Sequence, residues 1–221
     1  MNDEQSPETA SQKSTKWPWI IALFVQIVSA ASVSFAFAPS NAGRRSALIP
    51  LALSYALLSA IGIERLRRRG KLAQHLKPHR GDLTLGALLA ALLYGLASAT
   101  TLFISAQMKP QTAWVMRLYL QLGERSDVDT LLLGAAVFGI AALEEMSFRG
   151  LLMDALADVF SPARAVLLSA VLFALAHTPT LFLLGDPYAG PNPLLVTAGF
   201  FCSLVWGFLV LRYKRLTPAL F

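Results

Sequence analysis

Glu144 and Glu145 stand side by side in a largely apolar stretch, Arg149 follows four residues after the second carboxylate, and His177 lies in the next apolar stretch. A carboxylate beside an imidazole can take a proton from water while the ring holds that water or the developing charge, which suffices to hydrolyse an amide without a covalent intermediate. On a helix, Glu145 and Arg149 share a face and can pair. Glu144 is turned about 100° away from Glu145 and stays free. Ionisable groups inside a membrane helix are costly and are functional candidates by default. The residues alone leave two other readings open: a polar lock between helices, or a proton or substrate path in a transporter.

Other chemistries find less support. Zinc takes three or four N, S or O ligands. Glu144, Glu145 and His177 could supply three at most, and no His-Glu-x-x-His helix is present. No metal and no cofactor is expected. A nucleophilic serine would favour a Gly-x-Ser-x-Gly turn, which is absent; Ser147 is read as bonding its own helix backbone. Cys202 is the only cysteine and lies in an apolar run, where it is read as a small buried hydrophobe. Gly86, Gly95, Gly134 and Gly139 lie scattered in apolar runs, and close helix packing is the expected reason.

The elements that position these residues belong to a membrane protein. The 221 residues are 55% hydrophobic and 14% charged, too little charge to clothe a water-soluble body of this size. Residues 1–16 are polar and are read as a disordered tail; 17–221 form the membrane domain. Apolar runs cover Trp17–Ala38, Ser46–Ile63, Leu83–Ala106, Leu131–Val159, Ala163–Leu184 and Leu194–Leu211. Each approaches the roughly 20 residues that a spanning helix requires. The expected fold is therefore all-α and polytopic, with about six complete transmembrane helices. Ala36-Phe37-Ala38 resembles a signal-peptidase site, but Pro39 would follow the cut and the run is long enough to span, so the first helix is expected to be retained.

Net charge is +6. The basic residues cluster between apolar runs, so they read as topology signals and not as a nucleic-acid surface. The block Glu64–Lys71, continued by Lys77 and Arg80, and the group Arg212–Arg215 are assigned to the cytoplasm. The N-terminus is then cytoplasmic, in a cell (inner) membrane. The stretch 107–130, with Trp114 and Tyr119, becomes an amphipathic segment on the opposite side. Arg44 and Arg45 fall outside, outweighed by the two larger blocks.

If the fourth and fifth runs form an antiparallel hairpin, the midpoint between Glu144 and His177 falls in Phe160-Ser161-Pro162, the one turn signal between them. Both side chains then lie about 25 Å from the turn, at the same depth. Phe173, four residues before His177, covers the same face and gives the imidazole an apolar floor.

Glu144-Glu145-Met146-Ser147-Phe148-Arg149 resembles the Glu-Glu-x-x-x-Arg motif, and Phe173-Ala174-Leu175-Ala176-His177 the Phe-x-x-x-His motif, of the CAAX protease and bacteriocin-processing family. These are the type II CAAX prenyl endopeptidases and their prokaryotic relatives. The resemblance covers roughly residues 131–221. It implies a helical intramembrane protease in which Glu144 activates water, His177 assists, and Glu145 and Arg149 support the site. The implied partners are a membrane-associated protein or peptide substrate and the bilayer. The family has a further motif, a His followed four residues on by Asn or Asp, that stabilises the oxyanion. Arg215–Phe221 resembles the approach to it, and the given sequence stops there, so a truncated last helix is expected. Oxyanion donors then come from residues beyond this sequence, from a partner or from other groups, or activity is weak. A non-catalytic relative, such as a bacteriocin-immunity or scaffold protein, is the alternative. Others of the family resemble sorting-type proteases that remove C-terminal anchors of exported proteins.

Overall fold

The computed structural model describes residues 16–123 and 127–220; the tail expected over 1–16 lies outside these except for Lys16, as does Glu124 of the expected interfacial segment. The helices are α1 (Trp17–Ala36), α2 (Leu48–Arg68), α3 (Leu72–Leu76), α4 (Asp82–Gln107), α5 (Thr112–Leu122), α6 (Asp127–Glu145), α7 (Asp154–Leu156), α8 (Pro162–Ala176), α9 (Pro179–Leu183), α10 (Leu194–Tyr213) and α11 (Thr217–Leu220). No strand occurs among the described residues. Six helical segments are long and apolar enough to cross a membrane, so the protein is an all-α polytopic membrane protein. Proline opens α1, α8 and α9, where its missing N–H goes unneeded.

Two features depart from the sequence reading. Between α6 and α7 the chain winds as a π-helix over Met146–Met153. The fifth run is not one helix: α8 stops at Ala176, and α9 restarts at Pro179. Pro179 has no N–H to continue the ladder, and its ring clashes with the preceding turn. His177 therefore caps α8 instead of sitting mid-helix. The glycines also divide. A Cβ on Gly95, Gly134 or Gly139 would meet nothing, so close packing does not explain them. Close approaches occur at other glycines, among them Gly62, where a Cβ would lie 3.2 Å from Leu151 Cβ, and Gly207, 2.9 Å from Val166 Cγ1.

The helix carrying the Glu-Glu-x-x-x-Arg residues runs through the centre of the bundle. Every residue from Met146 to Leu152 is buried, as expected for a helix with neighbours on all sides. Val25 of α1, Tyr55 and Leu58 of α2 and Phe173 of α8 pack with Phe148 and Leu152 in one core cluster. By contrast, α4 is peripheral: Asp82, Gly86 and Ile104 are its buried residues, and Leu88, Leu92 and Leu102 are exposed. Its first residue is anchored, since Asp82 accepts from Arg215 at 2.5 Å and from Thr217 Oγ1 at 2.6 Å.

Ion pairs tie the two ends. At one end Arg65 reaches Asp154 at 2.8 Å and Asp158 at 2.7 Å, Arg69 pairs with both, and Lys71 meets Asp154 at 3.0 Å. At the other, Arg45 pairs with Asp129 at 2.5 Å and Arg117 with Asp186 at 3.4 Å. There Trp114 donates to the Gly190 carbonyl and Asn192 to that of Trp114, which joins α5 to the α9–α10 loop. The expected interfacial segment thus lies at the end opposite the large basic block. Gly43 and Gly123, both with φ of +73°, cross there so closely that a Cβ on Gly123 would come within 2.8 Å of Gly43 Cα.

The basic network dictates an acid limit to stability. Bonds from Arg69, reinforced by Arg65, hold the Asp158 carboxyl below the usual carboxylate range against a partial burial that pushes the other way. A depressed folded pKa stabilises fully above the unfolded value of about 4 and is lost as pH falls through the folded one. Thermal unfolding in nanodiscs should therefore show a decline below about pH 4 that Asp158→Asn reduces. Asp154→Ala should cost about 3 kcal/mol at neutral pH, because Arg65, only 12% exposed, loses its buried partner.

Candidate active site

The structure brings the four sequence-predicted residues together. His177 Nε2 lies 3.9 Å from Glu144 Oε1, and the two side chains are 14% and 18% exposed. Arg149 Nε lies 3.1 Å from Glu145 Oε2, at 1% and 10% exposure. The hairpin arithmetic that put Glu144 level with His177 thus holds, and the two side chains face each other.

The imidazole is held from behind. His177 Nδ1 is 2.9 Å from the Phe173 carbonyl. A carbonyl only accepts, so Nδ1 carries the hydrogen, and Nε2 of the neutral ring presents a lone pair toward Glu144. Phe173 supplies the expected floor: its ring centroid is 4.7 Å from that of His177, tilted by 31°. Phe148 meets the same ring edge-on at 4.7 Å, and the Arg149 guanidinium stands over it at 5.3 Å. On α10 the absence of a side chain makes room, since a Cβ on Gly199 would meet Phe173 Cε1 at 3.1 Å and Cδ1 at 3.3 Å.

Arg149 is a brace between helices. Besides Glu145 it donates Nη2–H to the Ser203 carbonyl of α10 at 3.1 Å. Its Nη1 and the Ser203 hydroxyl have no hydrogen-bond partner among the described residues, and the Glu145 contact is an ion pair without hydrogen-bond alignment. Ser147 bonds the backbone as expected, to the Leu143 carbonyl at 2.8 Å. It also reaches the Tyr55 carbonyl, at 3.3 Å. Ser59 of α2 donates to the same Leu143 oxygen at 2.7 Å. These hydroxyls supply donors just where α6 passes into the π-helical turn; such turns recur at functional sites.

Sequence reasoning missed Tyr55. Its side chain is fully buried, and the hydroxyl lies against Glu144 and Ser29 without an aligned hydrogen bond. The available signal was a stripe in α2: Tyr55, Ser59 and Gly62 fall at i, i+4 and i+7, and all three are buried. Polar and small residues on one face of a membrane helix mark the side toward the protein. Cys202 is half-buried and free, near Glu145 and Arg149.

Glu144 and His177 close one end of a cavity of about 330 Å³ lined by Val33, Leu48, Leu133, Val137 and Ile140, with Arg44 and Arg45 at the other end. A polar pair at the foot of an apolar channel is suited to a reaction on a polypeptide that has left bulk water.

Residues 126–221 match the family described as Type II CAAX prenyl endopeptidase Rce1-like. The matched stretch contains all four residues of the candidate site, whereas α1, α2 and Tyr55 lie before it. This is a family of membrane peptidases, and the match agrees with the resemblance carried by the two motifs. No curated protein and no solved structure matches the chain.

The pairing of Glu145 with Arg149 sets a stability test. Arg149→Met should lower folded yield in the membrane by leaving Glu145 buried without its cation, a cost of about 3 kcal/mol. The double variant Glu145→Gln with Arg149→Met should regain much of that yield, measured by fluorescence-detected size exclusion of a tagged chain.

Proposed function

We propose that the protein is an intramembrane glutamate-dependent endopeptidase that cleaves a membrane-associated protein or peptide. The observation that carries this is the facing pair Glu144 and His177, 3.9 Å apart. That separation is too long for a direct hydrogen bond and suits one shared water, whose two bonds of about 2.8 Å span it at an angle near 90°.

The chemistry balances without a covalent intermediate. Glu144 takes one proton from the water as its oxygen bonds to the scissile carbonyl carbon, and the carbonyl becomes an oxyanion. The protonated Glu144 then delivers that proton to the amide nitrogen, the C–N bond breaks, and a carboxylic acid and an amine leave. His177, with Nδ1–H fixed on Phe173, accepts from the water through Nε2 and orients it. Glu145 and Arg149 position the helix that carries Glu144. The Tyr55 hydroxyl donates to the Glu144 carboxylate once the side chain settles on substrate, which sets the direction of the basic lone pair.

Cleavage of a membrane-protein substrate found by comparing membrane proteomes with and without the gene provides the assay. Glu144→Gln and His177→Ala should each lower its rate by at least about 100-fold with expression and Tm preserved. Normal cleavage by both variants would overturn the proposed role of this pair. Tyr55→Phe keeps the packing and removes one hydrogen bond. It should slow cleavage about tenfold and move the acid limb of the pH–rate profile, an effect that lost packing alone would not produce.

A further inference from the structure

A second pocket lies at the basic end of the bundle, apart from the cavity of Glu144 and His177. It has a volume of about 270 Å³ and sits where α3, the motif helix, α8 and α10 meet. Ligand pockets run upward from about 300 Å³, so this one suits a single headgroup-sized ion better than a length of chain. Lys71, Asp154 and Lys214 line it, and so does Arg149, which lies roughly 7 Å deeper along its helix than Asp154.

The charge in this pocket is unbalanced. Asp154 is the one carboxylate among its lining residues, and it is already met by Arg65 at 2.8 Å, Arg69 at 3.1 Å and Lys71 at 3.0 Å. Asp158 is taken by Arg65 and Arg69, so three cations share two carboxylates. Lys214 is exposed and pairs with no described acidic residue. At the inner end, Arg149 keeps an Nη1 without a hydrogen-bond partner among the described residues.

The lysines are also held in place. Lys214 ends α10 in the left-handed region, with φ of +59° and ψ of +28°. It is the one residue other than glycine with a positive φ among the described residues. Glycine or asparagine ordinarily takes this helix-ending position, and a lysine there brings a cation to the rim. Two residues on, the Leu216 N–H donates to the His75 carbonyl at 2.8 Å. His75 Nδ1 in turn lies 3.0 Å from the Lys71 carbonyl. The turn after α10 and the start of α3 are thereby fastened together, which keeps both ammonium groups beside one pocket.

We propose that this pocket binds the phosphate of an anionic membrane lipid, held between Lys71 and Lys214 with Arg149 at its inner end. The pocket opens where three membrane-spanning segments end, at Leu156, Pro162 and Tyr213, the level at which lipid headgroups lie. An excess of Lys and Arg orients a bundle toward the cytoplasm, where the leaflet surface is negative and draws basic segments. A zwitterionic headgroup would bring its own cation to a pocket that already has cations to spare. This site does not depend on the hydrolytic reading.

The test uses the full chain in nanodiscs of phosphatidylcholine with and without phosphatidylglycerol. Native mass spectrometry reads which lipid is retained, and thermal unfolding reads Tm. The protein should retain phosphatidylglycerol in preference to phosphatidylcholine, and phosphatidylglycerol should raise its Tm. Lys214→Gly and Lys71→Gln should each lower that retention about fivefold, and Lys214→Arg should keep it. Glycine suits the turn at 214, so the folded yield of Lys214→Gly in phosphatidylcholine alone should not fall, which separates a lost cation from a lost fold. Arg80 is exposed at the same end and outside the pocket, and Arg80→Gln should leave retention unchanged. Equal retention of the two lipids would overturn the proposal. So would a loss in Arg80→Gln as large as in Lys214→Gly, which would reduce the effect to general surface charge. Inorganic phosphate raising Tm in phosphatidylcholine nanodiscs as much as phosphatidylglycerol does would overturn the lipid source in favour of a free ion.

Discussion

A guanidinium in the middle of an apolar bundle must be neutralised and bonded, and the rest of the structure is arranged around meeting that demand for Arg149. Only 1% of its side chain is exposed, so water cannot stand in for a missing partner. Removing such a cation from water costs several kcal/mol, which a single carboxylate offsets only when the geometry is good and further acceptors are present. Glu145 supplies the countercharge, the Ser203 carbonyl an acceptor, and the Phe173 face a third attraction. Those three partners lie on the motif helix, α10 and α8. The same side chain thus sets how three helices meet, and Phe173, which it covers, is the residue that fixes His177.

This arrangement separates support from chemistry. Adjacent carboxylates on one helix point about 100° apart, so one can be spent on the brace while the other faces the imidazole. Were both turned toward His177, Arg149 would be left buried without a counterion. Were both turned toward Arg149, the cavity would end in apolar side chains. The hydroxyls of Ser59 and Ser147 hold the Leu143 carbonyl, one residue before Glu144. They fix the backbone at the point where the helix widens. A carboxylate that must lie within one water of a ring nitrogen tolerates little movement of the residue before it.

Much of this was legible in the sequence because it depends on spacing within a helix or on depth in a membrane. The i,i+4 relation predicts the Glu145–Arg149 pair, and the position of Phe160-Ser161-Pro162 predicts that Glu144 and His177 share a level. Both follow from the constant rise of a helix. The break at Pro179 was also written in the residues, but hydrophobicity continues across it and hid it. For Tyr55 the α2 stripe marks only the side toward the protein: its nearness to Glu144 depends on how α2 crosses the motif helix, and no periodicity within α2 reports a crossing. The π-helical turn escaped similarly, since it is stabilised by hydroxyls from two helices and not by a local propensity. Gly62 shows the limit from the other side, where one glycine permits close approach to Leu151 and glycines of identical appearance at 95, 134 and 139 face open space.

Hydrolysis inside a bilayer has to solve a supply problem as well as a positioning problem. Water must reach a site whose walls are largely apolar. An apolar wall offers water no hydrogen-bond partner. Here the polar groups stand at the two ends, Glu144 and His177 at the foot and Arg44 and Arg45 at the mouth, with little between them to hold a column of water. A water reaching the foot finds a carboxylate and an imidazole nitrogen, enough partners to retain it. One filling the middle finds none. An apolar group lying along the walls would displace poorly held water there and leave the water at the foot in place. The cavity is thus divided into a foot that retains water and a wall that does not, which is the division the proposed hydrolysis requires.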